Sequence, residues 1–470
     1  MESKDGFQEE GFVMSQTQKD YLDRAAKVLA RIDNSYAYFP ENETPVFNRG
    51  EGIYLYDPDG VEYLDMVAGY GTVNQGHTHP HIVQALLKQA NLLAHTSATL
   101  SNVKVELAEK LAELSPIPET MVHFDLGGAR ATEGAKVLVR AYTGKPKVIS
   151  FSNAFHGRSA GSLSMYNADQ FQFLYNIQKD YYTAPYPYCR RCPFGKTCDS
   201  CSWECLGKVQ DILRENRDVG GIIVEPALGA RGYIFPPMDF FKRLRRICDE
   251  HGVLLISDEI QMGMGRLGAM FACELYDTVP DIILLAKSLG GTMWPLSAIL
   301  GRRAIMQSVR PGTLGSTFAG APLACGVGLA SLEVFEMENL CEKSQTLGKY
   351  FLDSLRERAS GFPLIVHIEG RGLAIGIEFE LPNGDPATAE VERLHHMALR
   401  KRLLLQRGGP AKNMINMIPA LTITREQIDE VVDRFVELLN DLLLEPKVVE
   451  NMAASSAAVP PRTEEIIAKI

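Results

Sequence analysis

Four short apolar runs constrain the fold of this chain more than any other feature. Lys147-Val-Ile-Ser-Phe, Gly221-Ile-Ile-Val-Glu, Val253-Leu-Leu-Ile-Ser-Asp and Asp281-Ile-Ile-Leu-Leu carry hydrophobic residues at consecutive positions. A strand with one wet face would alternate apolar and polar residues; a strand buried on both faces need not. The runs are separated by helical stretches, which predicts a mainly parallel sheet covered by helices on both sides. Ligands of such sheets gather at the carboxyl ends of the strands. Glu225, Asp258 and Lys287 each stand at or just beyond such an end, so a shared pocket is expected there.

The 470 residues exceed what a single small module needs, and a 46% hydrophobic content is enough for a large core. A formal net charge of −10 argues against wholesale nucleic-acid binding. There is no apolar run of about 18 residues to span a membrane. Met1 to Met14 has acidic residues where a secretory signal would be basic and apolar. A cytoplasmic protein is the expectation.

Outside the sheet region, Gln16 to Ile32 reads as an amphipathic helix, and Asp57-Pro-Asp-Gly as a turn between two strands. Helices are expected from His79 to about Leu93, Asn102 to Leu114, Ala324 to Met337, Ala387 to Lys401 and Glu426 to Leu443, with a strand at Gly372 to Phe379. Residues 1–95 then contribute to a small domain and 96–325 form the large one. Residues 326–446 complete the small domain, and 447–470, with Ala-Ala-Ser-Ser-Ala-Ala and Pro460-Pro, read as a flexible tail.

A lysine at a buried strand end loses solvation, so its pKa falls and its amine becomes able to form a Schiff base. Lys287, followed by glycines, is such a lysine. A buried carboxylate such as Asp258 suits a pyridinium nitrogen. Gly127-Gly-Ala-Arg leads from a strand into a helix, where backbone N–H groups meet anions. Phe155 offers a face to stack on a ring, and Thr317 a hydroxyl for a phosphate.

In their order and spacing, Val73-Asn-Gln-Gly-His-Thr-His-Pro, Phe155-His-Gly-Arg, Glu225-Pro, Asp258-Glu-Ile-Gln, Lys287, Ser316-Thr-Phe and Arg371-Gly-Leu resemble the class III aminotransferases, the ornithine and 4-aminobutyrate type. The resemblance covers roughly Tyr36 to Leu443 and implies a fold-type I enzyme dependent on pyridoxal 5'-phosphate. It implies that Lys287 carries the cofactor and shuttles a proton, that Asp258 pairs with the pyridine nitrogen, and that Gln261 binds the ring hydroxyl. Phe155 and Ile260 would sandwich the ring, and Gly128 and Ala129 would bind the phosphate. Thr317 would reach the phosphate of a neighbouring subunit, which implies a homodimer or a higher homo-oligomer.

The chain departs from that family at the substrate. Relatives commonly clamp an α-carboxylate with an arginine, and pair that arginine with a glutamate. Here Asn416 and Ala230 stand at those positions. A displaced clamp would have to come from Arg231, Arg407 or Arg158; otherwise the substrate is held without one. Arg130 occupies a normally acidic slot after the phosphate loop, near the phosphate or near the pocket entrance.

Cys189, Cys192, Cys198, Cys201 and Cys205 are spaced so that four thiolates could converge on a structural zinc ion. The same run resembles a cysteine-rich loop of archaeal relatives, some of them amino-acid racemases, so an interface loop is the other reading. The expected activity is amino-group transfer between small-molecule amines and carbonyl acceptors, including carrier-tethered ones. A racemase or epimerase and a non-catalytic homologue are the alternatives.

Overall fold

The computed structural model describes residues 14–30, 39, 43–97, 99–165 and 180–457. Its centre is a seven-stranded sheet. In spatial order the strands are Thr120–Asp125, Ser297–Arg302, Ile282–Leu285, Leu254–Asp258, Val219–Val224, Lys147–Phe151 and Tyr181–Ala184. Ser297–Arg302 runs against both its neighbours, whereas the pairs from Ile282–Leu285 to Tyr181–Ala184 are parallel. The runs without alternation are explained by two separate cores. Ile283 and Leu285 point into one cluster and Ile282 and Leu284 into another; all four are fully buried. Burying each of these side chains contributes about 1.5–3 kcal/mol, an upper bound because unfolded chains are partly compact.

Two smaller sheets flank the centre. Arg49–Glu51, Tyr54–Tyr56 and Glu62–Asp65 form an antiparallel set, and Leu403–Leu404 joins it parallel to Glu62–Asp65. Thus residues from both ends of the chain share one sheet. The other sheet has the order Ile365–Arg371, Ala374–Phe379, Met414–Met417, Gln406–Gly408. Period two decides what its central strands touch. Ile375, Ile377, Phe379, Ile415 and Met417 enter the largest core. Ala374 and Ile418 instead face Ala227, Tyr233 and Met262. That second face is the seam between this sheet and the elements around the central one.

The expected helices are present at Gln16–Val28, Pro80–Leu92, Asn102–Leu114, Pro322–Met337, Thr388–Arg400 and Arg425–Leu444. The expected tail requires correction. Pro446–Ala457 is a helix packed on Arg425–Leu444, with Val448 fully buried and Met452 nearly so. Those two residues are four apart and so share a face, and the alanines that suggested a linker are strong helix formers. Residues 31–32 of the expected first helix and 458–470 of the tail lie outside the described residues. Among the described residues no helix is long and apolar enough to cross a membrane.

Candidate active site

A cavity of about 510 Å³ opens at the carboxyl ends of the central strands. Its wall is assembled from consecutive strand ends: Gly128 and Ala129, Phe155 and His156, Glu225, Asp258 and Ile260, and Lys287. Asp258 closes its strand facing the cavity. Glu259, one residue on, turns away, where its carboxylate accepts the backbone N–H groups of Ala272 and Cys273.

Asp258 is 3% exposed and fully engaged. Its Oδ1 accepts the Ile260 N–H at 3.2 Å, and its Oδ2 lies 2.6 Å from His156 Nδ1. Burial alone would lower the His156 pKa. The hydrogen bond and charge of Asp258, with the charge of Glu225, outweigh burial and raise it. The other ring nitrogen, Nε2, is buried with no partner among the described residues. Glu225 spans two loops, accepting the Phe155 N–H at 2.7 Å and the Gly229 N–H at 3.0 Å. Burial pushes its carboxyl up to about 7.

Lys287 follows the strand Ile282–Leu285 at φ +48°, in the left-handed region that non-glycine residues seldom occupy. Burial lowers its amine to about 8, against the opposing pull of Glu225 and Asp258. Gly128 begins the helix Gly128–Thr143, whose first N–H groups border the cavity. A side chain at Gly128 would press on the Ile260 side chain at 3.0 Å, so a larger residue there would crowd Ile260. Gln261 lines the cavity and donates its Nε2 to the Tyr70 carbonyl at 3.0 Å.

The remaining candidates lie elsewhere. Thr317 is exposed and lines a different cavity of about 830 Å³, together with Lys104, His123 and Arg303. Arg158 borders the active-site cavity. Arg231 lies in the turn closed by the Gly232 N–H and the Gly229 carbonyl, whereas Arg407 does not suit a clamp. It pairs in register with Ile415, so it points to the face opposite Asn416, and its guanidinium binds Glu392 at 2.9 Å. Arg130 is held by Asp125 at 3.3 Å and Glu133 at 3.5 Å, which offset its charge.

The cysteine run holds no metal site among the described residues. The described cysteines are free thiols; Cys201 donates to Glu204 and Cys205 is buried, its thiol pushed up to about 11 by burial. The side chain of Cys198 lies outside the described residues. Cys189, Cys192, Cys201 and Cys205 line one small cavity of about 120 Å³. Arg190 and Arg191 of this loop bind Glu378 and Glu380 at the end of the strand Ala374–Phe379, and Tyr188 donates to Glu378 at 2.7 Å. The loop is therefore fastened to the sheet that contains Ala374–Phe379.

His156 is the main residue that sequence reasoning passed over as a site residue. Its signal was its place in Phe155-His-Gly-Arg, directly after a strand end. Met293 and Trp294, also on the cavity wall, carry no comparable signal.

Residues 38–439 match the family model of aminotransferase class III. The chain belongs to the class III aminotransferases. Among relatives of this class III aminotransferase, an ornithine aminotransferase of Exiguobacterium sp. is 35% identical over 402 residues, which span 84% of this chain and 92% of that protein. A leucine/methionine racemase of Thermococcus litoralis is 34% identical over 398 residues, 83% of this chain and 89% of that protein. Among solved structures, the ornithine aminotransferase of Toxoplasma gondii ME49 has a TM-score of 0.80 at 28% identity, covering 91% of this chain and 96% of that one. The class III aminotransferase is thus a fold-type I enzyme dependent on pyridoxal phosphate.

The donor set fits that cofactor. A helix N-terminus suits the phosphate, an amine lowered to about 8 suits an aldehyde, and a buried carboxylate backed by His156 suits a ring nitrogen. Phe155 and Ile260 supply apolar surface in the same cavity.

Proposed function

We propose that this enzyme transfers an amino group from an amine or amino acid to a carbonyl acceptor in a ping-pong cycle, on a substrate held without the usual arginine at an α-carboxylate. The observation that carries the catalytic part is Lys287 in one cavity with Asp258 and Glu225, its amine lowered to about 8. Bound pyridoxal phosphate supplies an aldehyde and an electron sink. Lys287 carries it, then acts as a base and acid that moves a proton at the amine-bearing carbon of the substrate. Asp258 holds the charge of the ring nitrogen, and His156 orients Asp258. Phe155 and Ile260 hold the ring faces, Gln261 its hydroxyl, and Gly128 and Ala129 the phosphate. Thr317, remote from its own chain's cavity, serves the phosphate of a second subunit in a homodimer.

Asn416 in place of a clamping arginine supports the substrate reading, together with the pairing of Arg407 to Glu392 on the opposite face. The substrates are small amines and carbonyl compounds, with carrier-tethered ones included in the class. A second reading, amino-acid racemisation, is favoured by the likeness to the Thermococcus litoralis racemase.

The test uses holoenzyme and a single amine donor without acceptor. Amino transfer consumes the lysine-dependent visible absorbance and releases about one carbonyl product per site. Racemisation inverts the donor and releases none. In Lys287→Ala that absorbance and turnover should both vanish while the fold, read by circular dichroism, persists. Turnover retained by the purified variant would overturn the reading.

A further inference from the structure

The segment that leads into Val73-Asn-Gln-Gly-His borders the active-site cavity: the Tyr70 carbonyl accepts Gln261, and Thr72 is cavity wall. Asn74 and Gln75 follow, both buried and both outside the cavity lining. A buried side-chain amide is costly unless its N–H and carbonyl groups are met. These two amides find their partners on two different loops of the site. Asn74 donates to the Met264 carbonyl at 2.8 Å and accepts Arg266. Both partners lie shortly beyond Asp258-Glu-Ile-Gln. Gln75 donates to the Ser288 carbonyl at 3.2 Å and to the Ser331 hydroxyl, and its own carbonyl accepts the Ser288 hydroxyl at 3.4 Å. Ser288 is the residue after Lys287. One dipeptide, 190 and 213 positions away in the chain, thus bonds the loops that follow both Asp258 and Lys287.

Three donors converge on the Ser288 carbonyl: the Gly291 N–H at 2.9 Å, the Ser331 hydroxyl at 3.0 Å and the Gln75 amide at 3.2 Å. A carbonyl oxygen offers two lone pairs, so this is more than its burial demands. Gly291 closes the turn itself. The other two donors are brought to it by the N-terminal segment and by the helix Pro322–Met337. Gln75, Ser288 and Ser331 are all buried, so water does not compete for these bonds.

The need for such restraint stands one residue earlier. Lys287 has φ +48°, and a non-glycine residue persists in that region only where its surroundings over-determine it. A relaxed φ at Lys287 would swing its Cβ, and the amine at the end of a four-carbon stem would be displaced further still. The clasp on Ser288 opposes that rotation.

We propose that Gln75, with Ser331, is a positioning residue that holds Lys287 in its left-handed conformation and so fixes its amine in the cavity shared with Asp258 and Glu225. The inference rests on Lys287 carrying the cofactor, and it adds the residues that keep the lysine in place.

The test uses holoenzyme of the parent, Gln75→Leu and Ser331→Ala, with the cofactor content of each measured. The single-turnover rate with an amine donor, taken per cofactor-loaded site, should fall about ten- to a hundredfold in Gln75→Leu, the scale of an ångström's misplacement of a reacting group. Ser331→Ala removes one donor only and should lose severalfold. In donor-free holoenzyme the pH midpoint of the lysine-dependent visible absorbance should move by about half a unit or more, because burial and the charges of Glu225 and Asp258 act on the amine at its place. A general folding defect would lower the cofactor content and leave both readings per loaded site unchanged. A rate in Gln75→Leu within about twofold of the parent's would overturn the inference, as would an unmoved midpoint. If Gln75→Leu takes up no cofactor, Ser331→Ala decides by the same two readings. If the parent converts no amine, amino transfer fails and the midpoint alone decides the role of Gln75. If donors are converted while both readings match the parent's, amino transfer stands and the role of Gln75 falls.

Discussion

Asp258 and Asn416 are both polar residues buried on strands, and their surroundings are opposites. Asp258, on the cavity wall, has a partner for each oxygen, and its neighbour Glu225 likewise bridges two backbone N–H groups. Asn416, on the strand Met414–Met417, has a partner for neither of its polar atoms among the described residues. Carboxylates whose oxygens are all engaged are held in one arrangement, which suits groups that must keep their place beside a reacting centre. The contrast is between carboxylates that line the cavity and a buried amide outside the lining of that cavity.

The comparison predicts its largest effect at Asp258. Asp258→Asn should keep the cofactor bound but slow the chemical step by on the order of a thousandfold, the scale on which a lost charge-stabilising group costs an active site. Single-turnover absorbance measurements check this, and a rate near that of the parent would place the ring's acid elsewhere.

A smaller loss, roughly ten- to a hundredfold in kcat with KM little changed, is expected for His156→Ala, because a group that orients a functional carboxylate acts through it. Partial recovery in His156→Gln, which keeps a donor toward Asp258, would distinguish positioning from general damage to the fold.

Glu225 sharpens the contrast through pH. Its folded carboxyl sits at about 7 against an ordinary 4.5. The folded state therefore holds a proton that the unfolded state has released between those values. The stabilisation is complete below about 4.5 and is lost as pH rises through about 7. Urea unfolding of the parent relative to Glu225→Gln, from pH 4.5 to 7.5, should show the parent losing stability against the variant. A flat difference would show that Glu225 titrates normally.

The smallest effect is expected at the clamp between the cysteine loop and the strand Ala374–Phe379. Arg191→Ala leaves Arg190 on Glu378 and Glu380. It should raise KM by about twofold to tenfold with kcat nearly unchanged, in keeping with the about 1 kcal/mol typical of a partly exposed ion pair. Arg191→Lys should recover part of the loss. Steady-state kinetics with the best donor decides, and a kcat effect without a KM effect would detach the clamp from substrate binding.

Four of the seven strands of the large sheet were legible because burial on both faces leaves an unbroken apolar run, whereas Thr120–Asp125, Tyr181–Ala184 and Ser297–Arg302 gave no such signal. Lys287 and Asp258 were legible because they end such runs. The helix Pro446–Ala457 was misread for the opposite reason. Its composition resembles a linker, and only the packing of Val448 and Met452 against Arg425–Leu444 shows that it is held. The zinc reading of the cysteine run finds no support among the described residues. Spacing along the chain permits convergence, but the fold sets Cys201 on Glu204 and shows no metal-holding group among the described residues, which leave out the Cys198 side chain.

By itself the sequence determined the four parallel strands at the heart of the sheet, the family and the residues at the strand ends, because these follow from local hydrophobic pattern and from short motifs whose parts are close in the chain. Only the tertiary structure decided that His156 backs Asp258 from 102 positions away, that Arg407 turns from the seam into the grip of Glu392, and that Arg190 and Arg191 reach Glu378. Such pairings depend on which face of a strand a residue takes and on how the two domains meet. Neither is written in any contiguous stretch of chain, since alternation fixes a side chain's direction only once the strand's partners and register are known.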